Sequence, residues 1–448
     1  MPRTKIIILL LCITCFVQEL NAQTMWKYFS ASDFAARRKK LMEKIDDGIA
    51  ILEGASLPEG YVKFRQDNNF YYLSGVETPD AIMLIDGKNK KSILFIPDDV
   101  YKDVKQEARI KPGDSAAKEY LFDAVLSKSM FTGYMQRFTW GSSPNVFISF
   151  TPEELMEMCR DRSMQQQTRR INDPWDGRIT KEANFMNKLK ERFPSFNIKN
   201  LSPILDDMRW VKDEKEIAVI RECGRIGSLG INEAIKVTRP GIYEYQTVAA
   251  CDFVYNNNGT SFPAYFPIAA SGAQGLDWHY NANNHILEAG TVLLIDYAPE
   301  LNYYMTDITR TWPVSGKFSE LQLKYYACLK EARSTVIAAM KPGVYYKDLE
   351  AICKQVYAKY GYADLYPGGI GHFVGMSVHD VGDYSKPFVQ GTVFNVEPII
   401  ENKAMKLHLR LEDTIVITAT GAENLTPQSP VDEEEIYKLM KEKGVGEQ

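Results

Sequence analysis

Acidic residues at strand-like positions restrict the fold of this chain more than any other feature, because a lone carboxylate in an apolar strand is costly to bury. Four stand out: Asp296 in TVLLID, Asp307 in YYMTDITRT, Glu397 in VFNVEPII and Glu412 in LRLEDTIVIT. The first two segments are rich in β-branched and aromatic residues and are separated by Pro299, Glu300, Leu301 and Asn302, which predicts a hairpin. A turn centred between Leu301 and Asn302 would set Asp296 directly opposite Asp307, with Cβ atoms about 5 Å apart and like charges repelling. A bound cation would relieve that repulsion.

Glu397 and Glu412 repeat the pattern, and His372, in the glycine-flanked stretch GHFVGMSVHDVG, adds an imidazole. Four carboxylates balance two divalent cations. A donor set dominated by oxygen, with a single nitrogen, suits a hard or borderline ion such as manganese and neither a thiolate zinc site nor an iron–sulfur cluster. For any one of these residues taken alone, a solvated turn acid or a satisfied core histidine is the competing reading.

Taken together, the segments resemble the pita-bread metallopeptidases, and within them the aminopeptidase P and prolidase family. The resemblance includes the pair His279 and Tyr280, D-x10-D, TDITRTWPVSGKF, GH-x2-G-x3-HDVG, V-E-P and R-x-E-D, all in family order. It implies an α/β fold, with an N-terminal creatinase/aminopeptidase P-like α/β domain over residues 30–196 and a C-terminal pita-bread catalytic domain over residues 203–445. It also implies two divalent metal ions, Mn2+ first, with Co2+, Fe2+ or Zn2+ as alternatives. Asp296 would chelate one ion, Asp307 and Glu412 would bridge both, and His372 and Glu397 would hold the other. Water or hydroxide between the ions would attack the scissile carbonyl while Glu397 takes its proton. His279 and His379 match histidines that steady the substrate and the oxyanion, and Arg410 matches an arginine that orients a metal-binding carboxylate. For these three a plain salt-bridge role is the alternative.

The chain departs from the family pattern in places. Where the family carries H-G-x-x-H, this chain has Gly368, Gly369, Ile370, Gly371 and His372, so the first histidine is absent. E-P-G-x-Y becomes Glu397, Pro398, Ile399, Ile400 and Glu401, and D-x-G becomes Asp296, Tyr297 and Ala298. All five ligand positions are kept, so the departures bear on substrate and rate. If the missing histidine limits substrate binding, Gly368→His should raise the catalytic efficiency on peptides with proline second.

Outside this region the chain reads more quietly. Arg3 and Lys5 precede an apolar run of 12 residues, Ile6 to Val17, then Gln18 to Ala22, which is the pattern of a secretory signal cleaved after Ala22. The run is shorter than the roughly 20 residues of a membrane span. Export to a periplasm or the outside is expected. The formal charge of −5, with no basic run, gives no reason to expect nucleic acid. At 448 residues, 45% hydrophobic, there is material for two sizeable cores. Beyond the leader the cysteines are Cys159, Cys223, Cys251, Cys328 and Cys353, scattered and odd in number, and buried free thiols are expected.

Strands are predicted at AILEG, FYYLSGV, AIMLID and SILFIPDD, after a helix over Ala31 to Ile45 whose RRKK run reads as a solvated face. Arg65 and Asp67 are either substrate-side or salt-bridged residues. The stretch from Asp114 to Thr180 yields no function. Helices are predicted through Leu205 to Val237, Tyr243 to Asn257, Glu320 to Met340, Tyr346 to Tyr360 and Val431 to Lys443. The reading is an exported peptidase acting on peptides with proline at the second position, with a homo-oligomer implied by the resemblance. The alternatives are a prolidase restricted to dipeptides and a non-catalytic peptide-binding protein on the same scaffold.

Overall fold

The computed structural model describes residues 27–98, 110–141 and 143–446, so the leader expected over residues 1–22 lies outside the described residues. The first helix, α1 (Ala31–Lys44), starts at a capping box in which the Ser30 amide donates to Asp33 Oδ2 at 2.7 Å. Its RRKK run is only half solvated. Lys39 and Lys40 are exposed, whereas Arg37 and Arg38 are buried. Arg37 lies over the rings of Phe29 and Tyr72, and Arg38 donates to the carbonyls of Leu73, Tyr120 and Leu121. Ring faces and carbonyls replace the water each guanidinium gives up.

A six-stranded sheet follows, from β1 (Ile49–Glu53), β2 (Ile82–Asp86), β3 (Lys91–Ile96), β4 (Ala124–Ser127), β5 (Asn145–Ile148) and β6 (Asn197–Asn200), in the order β4-β3-β2-β1-β5-β6. The segment FYYLSGV, expected as a strand, forms helix α2 (Asn68–Ser74) instead. Its ends explain the change: the Asp67 carboxylate accepts from the Phe70 amide, and Gly75 closes the helix at φ 65°. Arg65 and Asp67 therefore take the structural reading. Arg65 is buried in an ion pair with Glu300 at 2.7 Å, and Asp67 is a helix cap. After these comes α3 (Arg160–Asn172).

The stretch expected as one helix through Val237 is divided. Ser202–Trp210 is separate from α4 (Glu214–Val237), because the Lys212 amide bonds the Gly391 carbonyl and Asp213 begins a new capping box with Glu216. Helix α5 (Glu244–Asn257) packs on α4, and α6 (Glu320–Ala339) on α7 (Tyr346–Lys359). The final helix is shorter than expected, Glu433–Leu439.

Between the helix pairs run β7 (Phe262–Pro263), β8 (Ile268–Ser271), β9 (Val292–Asp296), β10 (Pro299–Leu301), β11 (Tyr304–Met305) and β12 (Thr309–Pro313). After them come β13 (Val393–Val396), β14 (Ile399–Asn402), β15 (Leu407–Arg410), β16 (Asp413–Ile417) and β17 (Ala422–Asn424). The predicted hairpin is present with a shifted register: β9 pairs β12 with Asp296 opposite Thr309, and Leu301 pairs Tyr304. The turn falls on Asn302 and Tyr303, whose φ values of 48° and 69° suit the twist of a two-residue hairpin. Tyr303 is held there by tertiary contacts, its ring stacked on Tyr71 at 3.6 Å and its hydroxyl donating to Glu77. Moving the turn by one residue moves the register by two, so Asp307 keeps the face expected of it.

The sheet β12-β9-β8 meets the sheet β13-β16-β17 through a bridge between Thr309 and Glu412. Beside it a buried ion pair locks the second sheet: Arg310 donates to Asp413 Oδ1 at 2.8 Å, and Arg333 adds a second cation to the same carboxylate. Asp413→Ala would leave Arg310 buried without its counter-charge. The expected loss is about 3–5 kcal/mol, seen as a lowered denaturation midpoint; an unchanged midpoint would show that the pair contributes nothing.

Candidate metal centre

The carboxylates converge where the two sheets meet. Asp307 and Glu412 lie with His372 so that one donor atom from each falls within 4.8 Å of the others. Asp296, at the end of β9, joins them through Tyr265, whose hydroxyl is 2.6 Å from both Asp296 Oδ1 and Asp307 Oδ1. That hydroxyl carries one proton for two acceptors, so a proton or a cation must be shared across the pair. Arg410 donates to Asp296 Oδ2 at 2.6 Å and to the Trp278 carbonyl, and Thr309 donates to Glu412 Oε2 at 2.5 Å. Glu397 leaves the end of β13 with its amide bonded to the Ile370 carbonyl, and its charge is felt by His372, Arg410 and both aspartates.

The electrostatics follow from this crowding. Burial, then the neighbouring charge of Asp307, pushes the Asp296 carboxyl up to about 6. Burial also raises Asp307 and Glu397, and Glu412 rises well above the usual carboxylate range through burial and the charges of Asp307, Asp296 and Glu397. His372 is driven down to about 4, by burial first and then by His379. It is therefore neutral near pH 7. Its Nδ1–H donates to the Phe373 carbonyl at 3.2 Å, leaving the Nε2 lone pair turned towards Asp307 at 3.4 Å. A neutral imidazole whose Nε2 lone pair meets only the Asn395 amide, among four crowded carboxylates, is a donor set that suits divalent cations, so these residues fit the ions implied by the sequence.

The sequence reasoning passed over several side chains here. Asn395 donates to Glu412 Oε1 at 2.5 Å, approaches His372 Nε2 at 2.7 Å and accepts from the His372 amide. Its one sequence signal is an amide at a buried place in the apolar strand VFNV. Tyr265 carries no such signal. At the rim stand His279 and His379, not within the cluster itself. His279 is exposed as a residue, its Nδ1 3.3 Å from Arg162, and partial desolvation of its ring with the charges of Arg162 and Arg410 lowers its affinity for a proton. His379 lies ring against ring with His372 at 3.9 Å and donates from Nδ1 to Asp161 at 3.3 Å. Burial pulls His379 down, but the hydrogen bond and charge of Asp161 outweigh it and raise it overall. Asp161 and Arg162 both come from α3, in the stretch where the sequence showed no function.

The loop carrying both histidines is clamped from two sides, by the segment just before α4 and by the N-terminal half. Asp380 takes hydrogen bonds from Arg209 at 2.6 Å and Lys212 at 3.0 Å, and Ser377 bonds Asn68 and Glu154. Gly375 packs so tightly against Asp380 and Lys212 that a Cβ would displace them.

Residues 218–419 match the metallopeptidase family M24, and residues 34–147 match the aminopeptidase P N-terminal domain. An Xaa-Pro dipeptidase of Pyrococcus horikoshii is 32% identical, over 54% of this chain and 70% of its own length. The chain belongs to metallopeptidase family M24. An Xaa-Pro aminopeptidase of Escherichia coli is 27% identical over 92% of this chain and 98% of its own length. The solved aminopeptidase P of E. coli with the inhibitor Pro-Leu superposes with a TM-score of 0.78 at 25% identity, over 92% of this chain and 98% of that one.

Within this M24 site the position of the missing histidine lies on a glycine-rich path. Gly368, Gly369 and Gly371 have φ values of 95°, 77° and 147°, a path that side chains rarely follow. The efficiency gain expected from restoring the histidine is therefore reversed: Gly368→His should cost about 1 kcal/mol or more in backbone strain and leave kcat/KM on X-Pro peptides no higher. Thermal melts and steady-state kinetics check both, and a clear gain in kcat/KM would show that the loop accepts the side chain. Asp307→Ala should abolish both metal retention after dialysis and peptide hydrolysis. Full metal content with full activity would refute the placement of the site.

Proposed function

We propose that this M24 metallopeptidase is an aminopeptidase that releases the N-terminal residue preceding proline, using two divalent ions held by Asp296, Asp307, His372, Glu397 and Glu412. The observation that carries this reading is the convergence of Asp307, His372 and Glu412 within 4.8 Å, with Asp296 tied in through Tyr265. Likeness to the E. coli Xaa-Pro aminopeptidase over 92% of this chain supports an aminopeptidase over a dipeptidase, whose relative matches 54%. Manganese is the ion favoured by the oxygen-rich donors.

When bound, such ions supply Lewis acidity to the scissile carbonyl and acidify water in the site. The protein's own residues do the rest. Glu397, whose affinity for a proton is raised by burial, is suited to accept one. His379, held by Asp161, presents Nε2 to a developing oxyanion. Arg410 fixes Asp296, and Asn395 with the Phe373 carbonyl fixes His372. His279 guards the rim, where the peptide enters.

The leader pattern at residues 1–22 supports export, and family resemblance supports a homo-oligomer; among the described residues no helix is long and apolar enough to cross a membrane. The deciding experiment compares X-Pro, X-Pro-Y-Z and X-Ala-Y-Z as substrates of the manganese-loaded protein, products weighed by mass spectrometry, with a metal-stripped control. Metal-dependent release of X from X-Pro-Y-Z is expected. Cleavage of X-Pro alone would establish the dipeptidase, and two bound ions with no turnover would favour the peptide-binding protein.

A further inference from the structure

A second group of metal-ligating atoms forms where the N-terminal half reaches His379, outside the carboxylate cluster. Cys159, Asp161 and His379 each offer one donor atom, all within 4.8 Å of one another. The Cys159 thiol donates to Asp161 Oδ1 at 2.7 Å, and Asp161 Oδ2 accepts from His379 Nδ1 at 3.3 Å. Cys159 and Asp161 come from the start of α3 and His379 from the catalytic loop, so the group exists only because the two halves are docked. The thiol differs from its neighbours in kind: Cys223 and Cys251 donate to backbone carbonyls in the core.

We propose that Cys159, Asp161 and His379 form a third metal site, selective for zinc over manganese, whose occupation inhibits the enzyme. A thiolate, a carboxylate and a neutral imidazole are three ligands of a tetrahedral zinc site with one position left open, and their two negative charges balance one divalent ion. Sulfur makes the site soft, whereas the carboxylate cluster is hard, so the two sites sort ions by chemistry. Ligands about 2.0–2.3 Å from a tetrahedral ion lie roughly 3.5 Å apart, within reach of these side chains by small rotations.

Access comes from solvent. The Asp161 and His379 side chains keep 46% and 36% of their exposure, while Cys159 forms the buried wall. On binding, the Cys159 S–H and His379 Nδ1–H bonds break as zinc–sulfur and zinc–nitrogen bonds form, both protons leave to bulk water, and the imidazole keeps its remaining proton on Nε2. Without the ion the thiol stays protonated, because burial and its bond to Asp161 both hold its proton on. The inhibitory consequence rests on the role proposed above for His379: an ion on Nδ1 replaces the hydrogen bond to Asp161 and locks the ring, which lies 3.9 Å from His372, so that it can no longer turn to meet an oxyanion.

The test uses Co2+ as a spectroscopic probe and Zn2+ as the inhibitor, on the manganese-loaded full chain and its Cys159→Ser variant. Cobalt bound to a thiolate absorbs in the near ultraviolet, and the carboxylate cluster holds no sulfur. The expected result is a near-ultraviolet band in the wild type that is missing from Cys159→Ser, with the variant retaining peptide hydrolysis. Zinc should inhibit the wild type at concentrations at least about tenfold lower than the variant, the scale of losing one supporting contact to a metal. No band in the wild type, or an equal band in Cys159→Ser, overturns the site. A band that depends on Cys159 with equal zinc inhibition in both proteins keeps the site and overturns its inhibitory role. The band does not depend on turnover, so failure of the peptidase reading would not mask it.

Discussion

The structure depends on the mutual repulsion of buried carboxylates. Asp296, Asp307, Glu397 and Glu412 sit where two small sheets meet, and each is harder to ionise than an ordinary carboxylate because burial opposes its negative charge, joined by like charges at Asp296, Glu397 and Glu412. Chains do not retain such an arrangement for stability, since well-packed apolar residues would serve better. Cations binding there would offset the repulsion, and the polar neighbours hold the acids in place. Arg410, Tyr265, Thr309 and Asn395 each fix one or two carboxylate oxygens.

Rigidity in this site comes from both halves of the chain. The loop bearing His372 and His379 has little secondary structure of its own, yet it is anchored through Asp380 to Arg209 and Lys212 and through Ser377 to Asn68 and Glu154. Arg209 is itself bonded to Glu154 and Asn69. These groups are buried and compensated by several partners, which favours one arrangement over others. The N-terminal half is thus part of the candidate site's scaffold, and Asp161 and Arg162 carry that influence to its rim.

Much of the site was legible before any coordinates, for a local reason. A carboxylate in an apolar strand pattern is a conflict that the sequence displays openly, and period-two alternation fixes its face. The hairpin illustrates how tolerant that inference is: its turn was placed one residue early, yet Asp307 kept its face because the register moved by two. The FYYLSGV segment shows the opposite case. Aromatic composition favoured a strand, but the Asp67 cap and the left-handed Gly75 made a helix, and end effects outweigh average propensity in a segment of seven residues.

Sequence by itself determined the residue types that must be brought together, the alternation that faces them inward and the helices whose apolar spacing and caps are local. Only the tertiary structure decided which partners hold them. Tyr265, Asn395 and Asp161 meet their targets across 42, 17 and 218 residues of chain, and nothing in a local pattern encodes a contact at such separation. The buried half of RRKK and the glycine path at Gly368 belong to the same class: each is set by what packs against it or by the dihedral angles a loop must adopt to close, quantities that exist only once the chain has folded.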